Sequence, residues 1–369
     1  MAQIDWGAER SESRMSARGV GLLAACAVLA LSACDNRREA GKTDASSAER
    51  IAASLDPCAD GQNGFAAALC QNEALIGLDS QVREALVAES AAVSDAGASL
   101  LVQNQARWRE AQRIACGILE SEAPTAEQQQ CLEARFRARA RDAANTVQEL
   151  GGYTFQRMEL VDAVPVSAQL AAATGLGDAT PAAIVRDIRF PRIDGEQTPA
   201  IRRFNELVAQ EPQYRLQDAT NESVDYVIAF AGPELISVRF NVAADTLGAA
   251  NVSSTVKAVT VLMEEGRALQ ASDVFRAGSG WENFITDRAV QTIAREFSDY
   301  PNFPPRRDVY ETATKPHLWL VTERGLVLLF PPLSFGGSHA DGGTEVTIPW
   351  ADLRQYLNPV APAPIRPSA

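Results

Sequence analysis

The stretch VDYVIAFAGPELISVRFNV, residues 224–242, decides the fold class of this chain. Apolar and polar residues alternate in it both before and after the pair Gly232-Pro233. A period of two is typical of a strand with one buried face, and a Gly-Pro pair is typical of a turn. The stretch therefore predicts two antiparallel strands joined as a hairpin.

More strands and two longer helices are predicted around this hairpin. Residues 317–330 carry two further strands, and residues 344–348 add another strand before a short helix that opens at Trp350. Residues 196–209 and 281–297 have the apolar spacing of amphipathic helices. Strands that cluster with a few helices in this way predict an α+β domain.

The first part of the chain has a helical pattern instead. Between residues 57 and 150 apolar residues recur at intervals of three and four, with breaks near Asp95-Ala96-Gly97 and at residues 121–125. This pattern predicts three helices that are antiparallel neighbours. We thus expect an α+β fold in which a small disulfide-linked helical domain precedes a larger antiparallel-sheet domain with a few helices.

An export signal is predicted near the start of the chain. The apolar run from Val20 to Leu31 follows Arg18 and is shorter than the roughly 20 residues that span a bilayer, as in secretory signals. The tetrapeptide Leu31-Ser32-Ala33-Cys34 resembles the lipobox of bacterial lipoproteins. The resemblance implies that residues 1–33 are removed and that Cys34 receives fatty acyl chains such as palmitate. A plain secretory signal and an uncleaved anchor are the alternatives.

A lipidated Cys34 implies a location in the cell envelope. The protein would be lipid-anchored to a bacterial membrane and would face the periplasm or the exterior, with residues 34–56 as a polar tether. The choice between inner and outer membrane stays open, and so does the choice between Met1 and Met15 as the start.

Four cysteines are left for the helical region once Cys26 of the signal and Cys34 are set aside. They are Cys58, Cys70, Cys116 and Cys131. Disulfides persist outside the cytoplasm, and four cysteines allow three connectivities. We favour the pairs Cys58–Cys70 and Cys116–Cys131, because each pair flanks a helix start or a helix turn. The spacing lacks a close Cys-x-x-Cys pair, which disfavours zinc.

The helical region is similar to the LprI-like N-terminal domain of bacterial envelope proteins. The similarity lies in LCQNEAL at 69–75, QARWR at 105–109 and CLEARFRAR at 131–139, and it covers residues 57–150. The founding member of that family is described as a lysozyme inhibitor. Trp108 and Arg109 lie in the second of these motifs, so we consider them as binding residues, with packing of Trp108 in the helical core as the alternative.

The second half resembles the extracytoplasmic domain shared by the anti-sigma factor RsiV and the peptidoglycan deacetylase PdaC. LVTERGLVLLF at 320–330 and EVTIPWADL at 345–353 carry this resemblance, which covers residues 180–358. Residues 151–179 would then form a linker and residues 359–369 a tail. The relatives place a histidine near position 250, where this chain reads Gly248-Ala249-Ala250-Asn251.

Few residues point to catalysis. The chain has only two histidines, His317 and His339, and it shows neither a metal-ligand spacing nor a phosphate-binding glycine loop. We therefore predict no catalytic residues, no metal and no cofactor. The better candidates for a contact surface are the basic residues Arg306 and Arg307 and the glycine-rich loop around His339.

The net charge of −13 argues against nucleic acid as the partner and favours a basic one. The sequence hypothesis is a non-catalytic envelope lipoprotein that binds a macromolecule, with lysozyme or a cell-wall component as the partner. An envelope-stress sensor or scaffold component and a peptidoglycan-active enzyme are the alternatives.

Overall fold

The hairpin predicted at residues 224–242 lies inside a large sheet. The computed structural model describes residues 47–58, 64–118, 124–210, 219–300, 303–335 and 343–366. Seven strands of this part form one sheet in chain order: β1 (Val147–Leu150), β2 (Tyr153–Pro165), β3 (Ala183–Ile193), β4 (Thr220–Ala231), β5 (Leu235–Thr246), β6 (Ser253–Leu262) and β7 (Arg267–Ala268). The hairpin prediction is confirmed, because β4 and β5 pair antiparallel and Gly232 N donates to Leu235 O at 3.0 Å.

One pair of neighbouring strands in this sheet is parallel. β3 and β4 run in the same direction, whereas the other neighbours are antiparallel. Helix α7 (Pro199–Gln210) lies between β3 and β4 in the chain and buries Phe204 and Val208 against the sheet. A parallel pair needs such a crossover, since a tight turn cannot join strands that run the same way.

A second sheet of three antiparallel strands follows in the chain. It consists of β8 (Trp319–Val321), β9 (Gly325–Phe330) and β10 (Thr344–Pro349). Helices α8 (Ala271–Val274), α9 (Trp281–Glu296), α10 (Arg306–Ala313) and α11 (Trp350–Leu353) surround it. The core between them is aromatic: Trp319 is fully buried and lies edge-on to Phe275 and Trp281, at centroid distances of 5.5 and 5.4 Å. The predicted strands and the short helix at Trp350 are confirmed.

The helical region contains α1 (Ser47–Leu55), α2 (Gly64–Gln71), α3 (Glu73–Ser90), α4 (Asp95–Ala115) and α5 (Ala126–Asp142), and α6 (Ala168–Thr174) lies further along the chain. Polar caps set the helix starts: Asn72 caps α3, Ser94 caps α4, and Thr125 forms a capping box with Gln128 at the start of α5. These caps explain the breaks that the sequence shows near residues 95 and 125. None of the described helices is both long and apolar enough to cross a bilayer.

Both favoured disulfides are present. Cys58 bonds to Cys70 and Cys116 bonds to Cys131, with Cα–Cα distances of 5.9 and 5.8 Å. Each bond closes a short loop beside a helix start, and cross-links of this kind restrict the unfolded chain. They support a helical region whose own apolar core is small.

The third predicted helix ends earlier than its apolar stripe suggested. It stops at Asp142, and Val147–Leu150 turns back as β1 to pair with β2. Gly151 and Gly152 occupy the two turn positions, with φ of 61° and 83°. Positive φ at both positions is the requirement of a two-residue type I′ hairpin, which two glycines satisfy without strain.

Three segments that we expected to be irregular contain packed residues. The predicted tether includes α1, whose Leu55 is buried with Leu101 in one cluster. Residues 151–179, expected as a linker, contain the 13-residue strand β2 and helix α6. In the expected tail, Ala361 and Ile365 are buried in the core around Trp319. Each segment carries apolar residues that pack against the rest of the chain, among them Leu55, Phe155 and Ile365.

The helices pack directly on the sheet within one compact unit, Ala45–Ala369. At one end of the interface between helices and sheet, Asp194 after β3 accepts hydrogen bonds from Ser94 N at 2.5 Å and Ser94 Oγ at 2.9 Å. Gly97 allows this approach, because a Cβ there would lie 2.7 Å from the Asp194 carboxylate. Hydrogen bonds from Ser94 and Arg192 hold the pKa of Asp194 below its usual range, although burial alone would raise it.

A buried ion cluster fixes the other end of the interface between helices and sheet. Glu159 of β2 is 1% exposed and accepts hydrogen bonds from Arg139 of α5 at 2.7 Å and from Arg157 at 2.8 Å. Arg157 also pairs with Asp142 at 2.8 Å. Burial alone would raise the pKa of Glu159, but the charges of Arg139 and Arg157 lower it to about 2. The carboxylate is therefore ionised at neutral pH and joins helix α5 to the large sheet.

Replacing Glu159 by Gln tests this cluster. We expect Glu159→Gln to lower the free energy of unfolding by about 3 kcal/mol at pH 7, because the buried guanidinium of Arg139 loses its counter-charge and Arg157 keeps only Asp142. A depressed pKa stabilises the folded state above the unfolded value of 4.5 and loses that contribution as pH falls toward 2. Urea denaturation from pH 7 to pH 3 should therefore show the difference between the two proteins shrinking.

Glu206→Gln is the matched control for this substitution. Glu206 forms an exposed pair with Arg203 at 2.9 Å, so its loss should change stability by less than about 1 kcal/mol. Equal effects of the two substitutions would contradict a structural role for Glu159.

Candidate functional site

Of the two residues taken from the LprI-like motif, Trp108 is buried and Arg109 is partly buried. Trp108 is 6% exposed, meets Phe136 edge-on at 5.0 Å and lies under the guanidinium of Arg139 at 5.4 Å. Arg109 donates to Asp79 at 2.6 Å. Burial raises the pKa of Asp79 even though Arg109 opposes the shift. Trp108 and Arg109 thus hold helices α3 to α5 together. Trp108 packs in the helical core, which was the alternative to a binding role.

The other predicted contact residues are at the surface or outside the described part. Arg306 donates to Asp287 at 2.8 Å and to Asn283 at 3.0 Å, whereas Arg307 pairs with Glu311 of its own helix at 2.8 Å. His339 and the lipidation residue Cys34 lie outside the described residues. The structure does not bring the predicted binding residues together into one site.

A groove beside β6 gathers residues that the sequence analysis did not combine. The chain has only three lysines, Lys42, Lys257 and Lys315, among 34 basic residues. Lys257 and Lys315 both line this groove, together with His317, and its cavity volume is about 370 Å³. The hydroxyl-bearing residues Thr255, Thr312 and Ser334 line it as well. We call this cavity the basic groove.

Its charge is opposite to that of the whole protein. The chain carries 47 acidic residues and a net charge of −13, yet none of the described residues that line the basic groove is Asp or Glu. An ammonium group is a compact point charge that binds carboxylate or phosphate oxygens, and hydroxyl groups add hydrogen bonds to the same oxygens. The arrangement can therefore hold an anionic group.

A strained turn forms the rim of the groove. Ser334 N donates to Pro331 O at 3.1 Å, and Leu333 has a φ of 68°. Pro332 cannot adopt a positive φ, so the turn is type II, in which Gly or Asn is preferred where Leu333 stands. Left-handed backbone costs a leucine about 1–2 kcal/mol. The turn keeps this side chain 43% exposed at the groove.

The chain after the turn is anchored by aromatic packing. Phe335 lies against Phe330 and Phe303, at centroid distances of 5.2 and 5.6 Å. This anchoring opposes relaxation of the turn, so the rim is preformed. Strained backbone that the surroundings hold in place is a recognised feature of binding sites.

A second groove of about 410 Å³ lies between α9 and α11, and its lining carries charges of both signs. Asp287 binds Arg306 at 2.8 Å, and Arg288 forms an ion pair with Asp352. Within the described ranges, no group of three or more His, Cys, Asp or Glu is placed to hold a metal ion. The basic groove gathers two of the chain's three lysines with three hydroxyl groups, and this uniform lining makes it the better candidate for a binding site.

Sequence reasoning missed this site because its residues come from three distant segments. The groove needs β6, the turn before β8 and the turn after β9 to meet, which only the packing of the two sheets achieves. One sequence signal was available: lysine is rare in a chain that otherwise uses arginine, and two lysines lie in the sheet half.

Two solved structures are similar to this chain over part of its length. One is a DUF3298 family protein from Pseudomonas aeruginosa PAO1, with 12% sequence identity and a TM-score of 0.41 over 59% of this chain and 98% of that one. The other is a member of the DUF3298 family from Bacteroides fragilis, with 12% identity and a TM-score of 0.38 over 58% of this chain and 98% of that one. No protein-family model and no curated protein matches the chain.

The turn geometry makes a prediction about stability. We expect Leu333→Asn to raise the free energy of unfolding by about 1 kcal/mol, because asparagine tolerates positive φ. Leu333→Val should lower it by a similar amount, since a β-branched side chain fits this backbone worst. Thermal and urea denaturation of both variants would check the order, and a valine variant as stable as the asparagine variant would show that position 333 does not hold a positive φ.

Proposed function

We propose that this chain is a non-catalytic, lipid-anchored protein of the bacterial cell envelope that binds an anionic macromolecule in the basic groove. The groove itself is the observation that carries the proposal. Lys257 and Lys315 bring positive charge to this groove in a protein of net charge −13, and His317 and neighbouring hydroxyl groups accompany them. A local cluster of one sign lined by low-dielectric walls focuses the field on an oppositely charged ligand.

The location in the envelope is supported by the cysteines. Cys34 ends a lipobox-like tetrapeptide, and the two disulfides, Cys58–Cys70 and Cys116–Cys131, suit a compartment outside the cytoplasm. With fatty acyl chains on Cys34, the protein would face the periplasm or the exterior from a bacterial membrane.

Substitution of Cys34 tests the anchor. We expect wild-type protein to fractionate with membranes and to incorporate labelled palmitate, because two or three acyl chains give stable anchoring. Cys34→Ser should remove the label, release the protein from the membrane fraction and change its electrophoretic mobility. Cys26→Ser, in the part that the signal would lose, is the control and should behave as wild type. An unaltered Cys34→Ser protein would contradict the lipoprotein proposal.

A second candidate function is binding of a basic partner such as lysozyme. The net charge of −13 favours it, because opposite net charges accelerate association. The two candidates make opposite predictions for the basic groove. Removing its lysines should weaken the binding of an anionic partner. The binding of a basic partner should stay unchanged or become tighter.

A paired-variant experiment separates the candidates. Full-length protein in detergent would be titrated with fluorescent polyglutamate, polygalacturonate and lysozyme at low and moderate salt. We expect the double variant Lys257→Gln, Lys315→Gln to lose about tenfold in affinity for at least one polyanion, a loss of roughly 1.4 kcal/mol.

The charge-matched control is Arg135→Gln, Arg137→Gln, which removes two exposed charges from α5. This control should stay within about twofold of wild type. If neither polyanion binds wild type, or if both double variants weaken binding equally, the basic groove is not the site. Binding of lysozyme alone would favour the second candidate.

A further inference from the structure

We infer that the exposed arginines of α5 contact the anionic headgroups of the membrane that would hold the acyl chains of Cys34. The inference rests on the proposed lipid anchor and says which side of the anchored protein faces the bilayer. Helix α5 carries four arginines between residues 135 and 141, and Arg139 among them is buried. The other three are exposed, and we call them the arginine face: Arg135, Arg137 and Arg141.

The charges of the arginine face are not used within the described part of the protein. None of its three side chains forms an ion pair or a hydrogen bond with another described residue. Glu133 lies four residues before Arg137 but is not paired with it. The carboxylate of Asp142 is held by Arg157 at 2.8 Å and by Arg189 at 3.3 Å. Three guanidinium groups are therefore available to an anion outside the protein.

The spacing of these arginines suits a surface rather than a single small ligand. Arg137 and Arg141 are four residues apart, so they project from the same side of the helix, one turn from each other. Arg135 lies on the flank, from which its long side chain can reach a headgroup layer. A cation in the last turn also stabilises the helix dipole, which accounts for Arg141 but does not require the two arginines before it.

The tether would bring this helix close to the bilayer. Thirteen residues, 34–46, separate the acylated position from the start of α1 at Ser47. A flexible chain of that length spans about 20 Å on average. Ile51 and Leu55 of α1 belong to the same small apolar cluster as Ala140 of α5. The tether therefore enters the helical region at the cluster on which the arginine face is built.

Charge assigns the arginine face an orienting role. The net charge of −13 would repel the free protein from an anionic surface, so the acyl chains and not the arginines bring it there. Once the protein is held at the surface, each arginine near an anionic leaflet favours the orientation that presents it by about fivefold. In detergent the tether would hold α5 beside the micelle in the same way, so that a polyanion in solution meets the basic groove.

Energy transfer in vesicles tests this orientation. The acylated full-length protein would carry a fluorescent donor on Ala134→Cys of α5, or on Val360→Cys, a site outside the helical region that is 82% exposed. Acceptors would be attached to lipid headgroups in vesicles of phosphatidylcholine, with or without phosphatidylglycerol. We expect transfer from position 134 to rise when phosphatidylglycerol is present and to fall again at high salt, with a smaller change at position 360.

Two charge-matched variants separate the arginine face from net charge. Arg137→Gln, Arg141→Gln should shift the orientation equilibrium by about 25-fold and return transfer from position 134 to its value in phosphatidylcholine. Lys257→Gln, Lys315→Gln should leave that transfer unchanged. Equal transfer in the two kinds of vesicle, or equal losses in the two variants, would overturn the inference.

Flotation of the same vesicles distinguishes this failure from failure of the anchor. Wild type and both variants should float with either kind of vesicle, because the acyl chains and not the arginines hold them. Flotation without the expected change in transfer would leave the lipid anchor standing and remove only the role of α5. Wild type that floats with neither kind of vesicle would remove the anchor and the inference together.

Discussion

The buried carboxylate of Glu159 is the constraint on which the arrangement of the protein depends. An ionised group with 1% exposure is costly unless opposite charges and hydrogen bonds surround it. Arg139 of helix α5 supplies one partner, and Arg157, which lies on β2 with Glu159, supplies the other. The helical region therefore has one favourable position on the sheet. The Ser94–Asp194 contact at the other end of this interface adds a second fixed point.

The two sheets are joined by a different kind of contact. Ser237 and Thr260 share a buried hydrogen bond of 2.7 Å, and Val321 N donates to Ser237 Oγ at 3.0 Å. Apolar residues of β6 and of the small sheet pack around this junction, among them Val256 and Leu318. Because the same residues lie beside the basic groove, the junction fixes the distance between the β6 edge and the opposite wall. Lys257 of β6 and Lys315 of the turn before β8 line the groove from these two segments.

Local patterns predicted most of the secondary structure, and the reasons are physical. Alternation at residues 224–242, helical spacing between 57 and 150 and the position of the cysteines depend on neighbours in sequence, and the structure confirms the strands, the α+β fold and both disulfides. The end of α5 was predicted too late, because Val147 and Leu150 continue the helical spacing although two glycines turn them into a strand.

Long-range partners could not be read from the sequence. In the arginine run of α5, Arg135 and Arg137 are exposed while Arg139 is buried, and only the position of Glu159 on β2 separates them. The basic groove depends in the same way on segments that are distant in the chain. Trp108 and Arg109 were chosen as binding residues from a sequence resemblance, whereas the structure packs Trp108 in the core and pairs Arg109 with Asp79.

Hydrogen–deuterium exchange of the full-length protein with and without polygalacturonate tests the central claim most directly. The account predicts slower exchange of amides in the segments that line the basic groove, residues 255–257 and 315–318, when the polyanion is present, with α5 unchanged. Protection confined to the helical region, or unchanged exchange of the groove segments with the polyanion demonstrably bound, would contradict it.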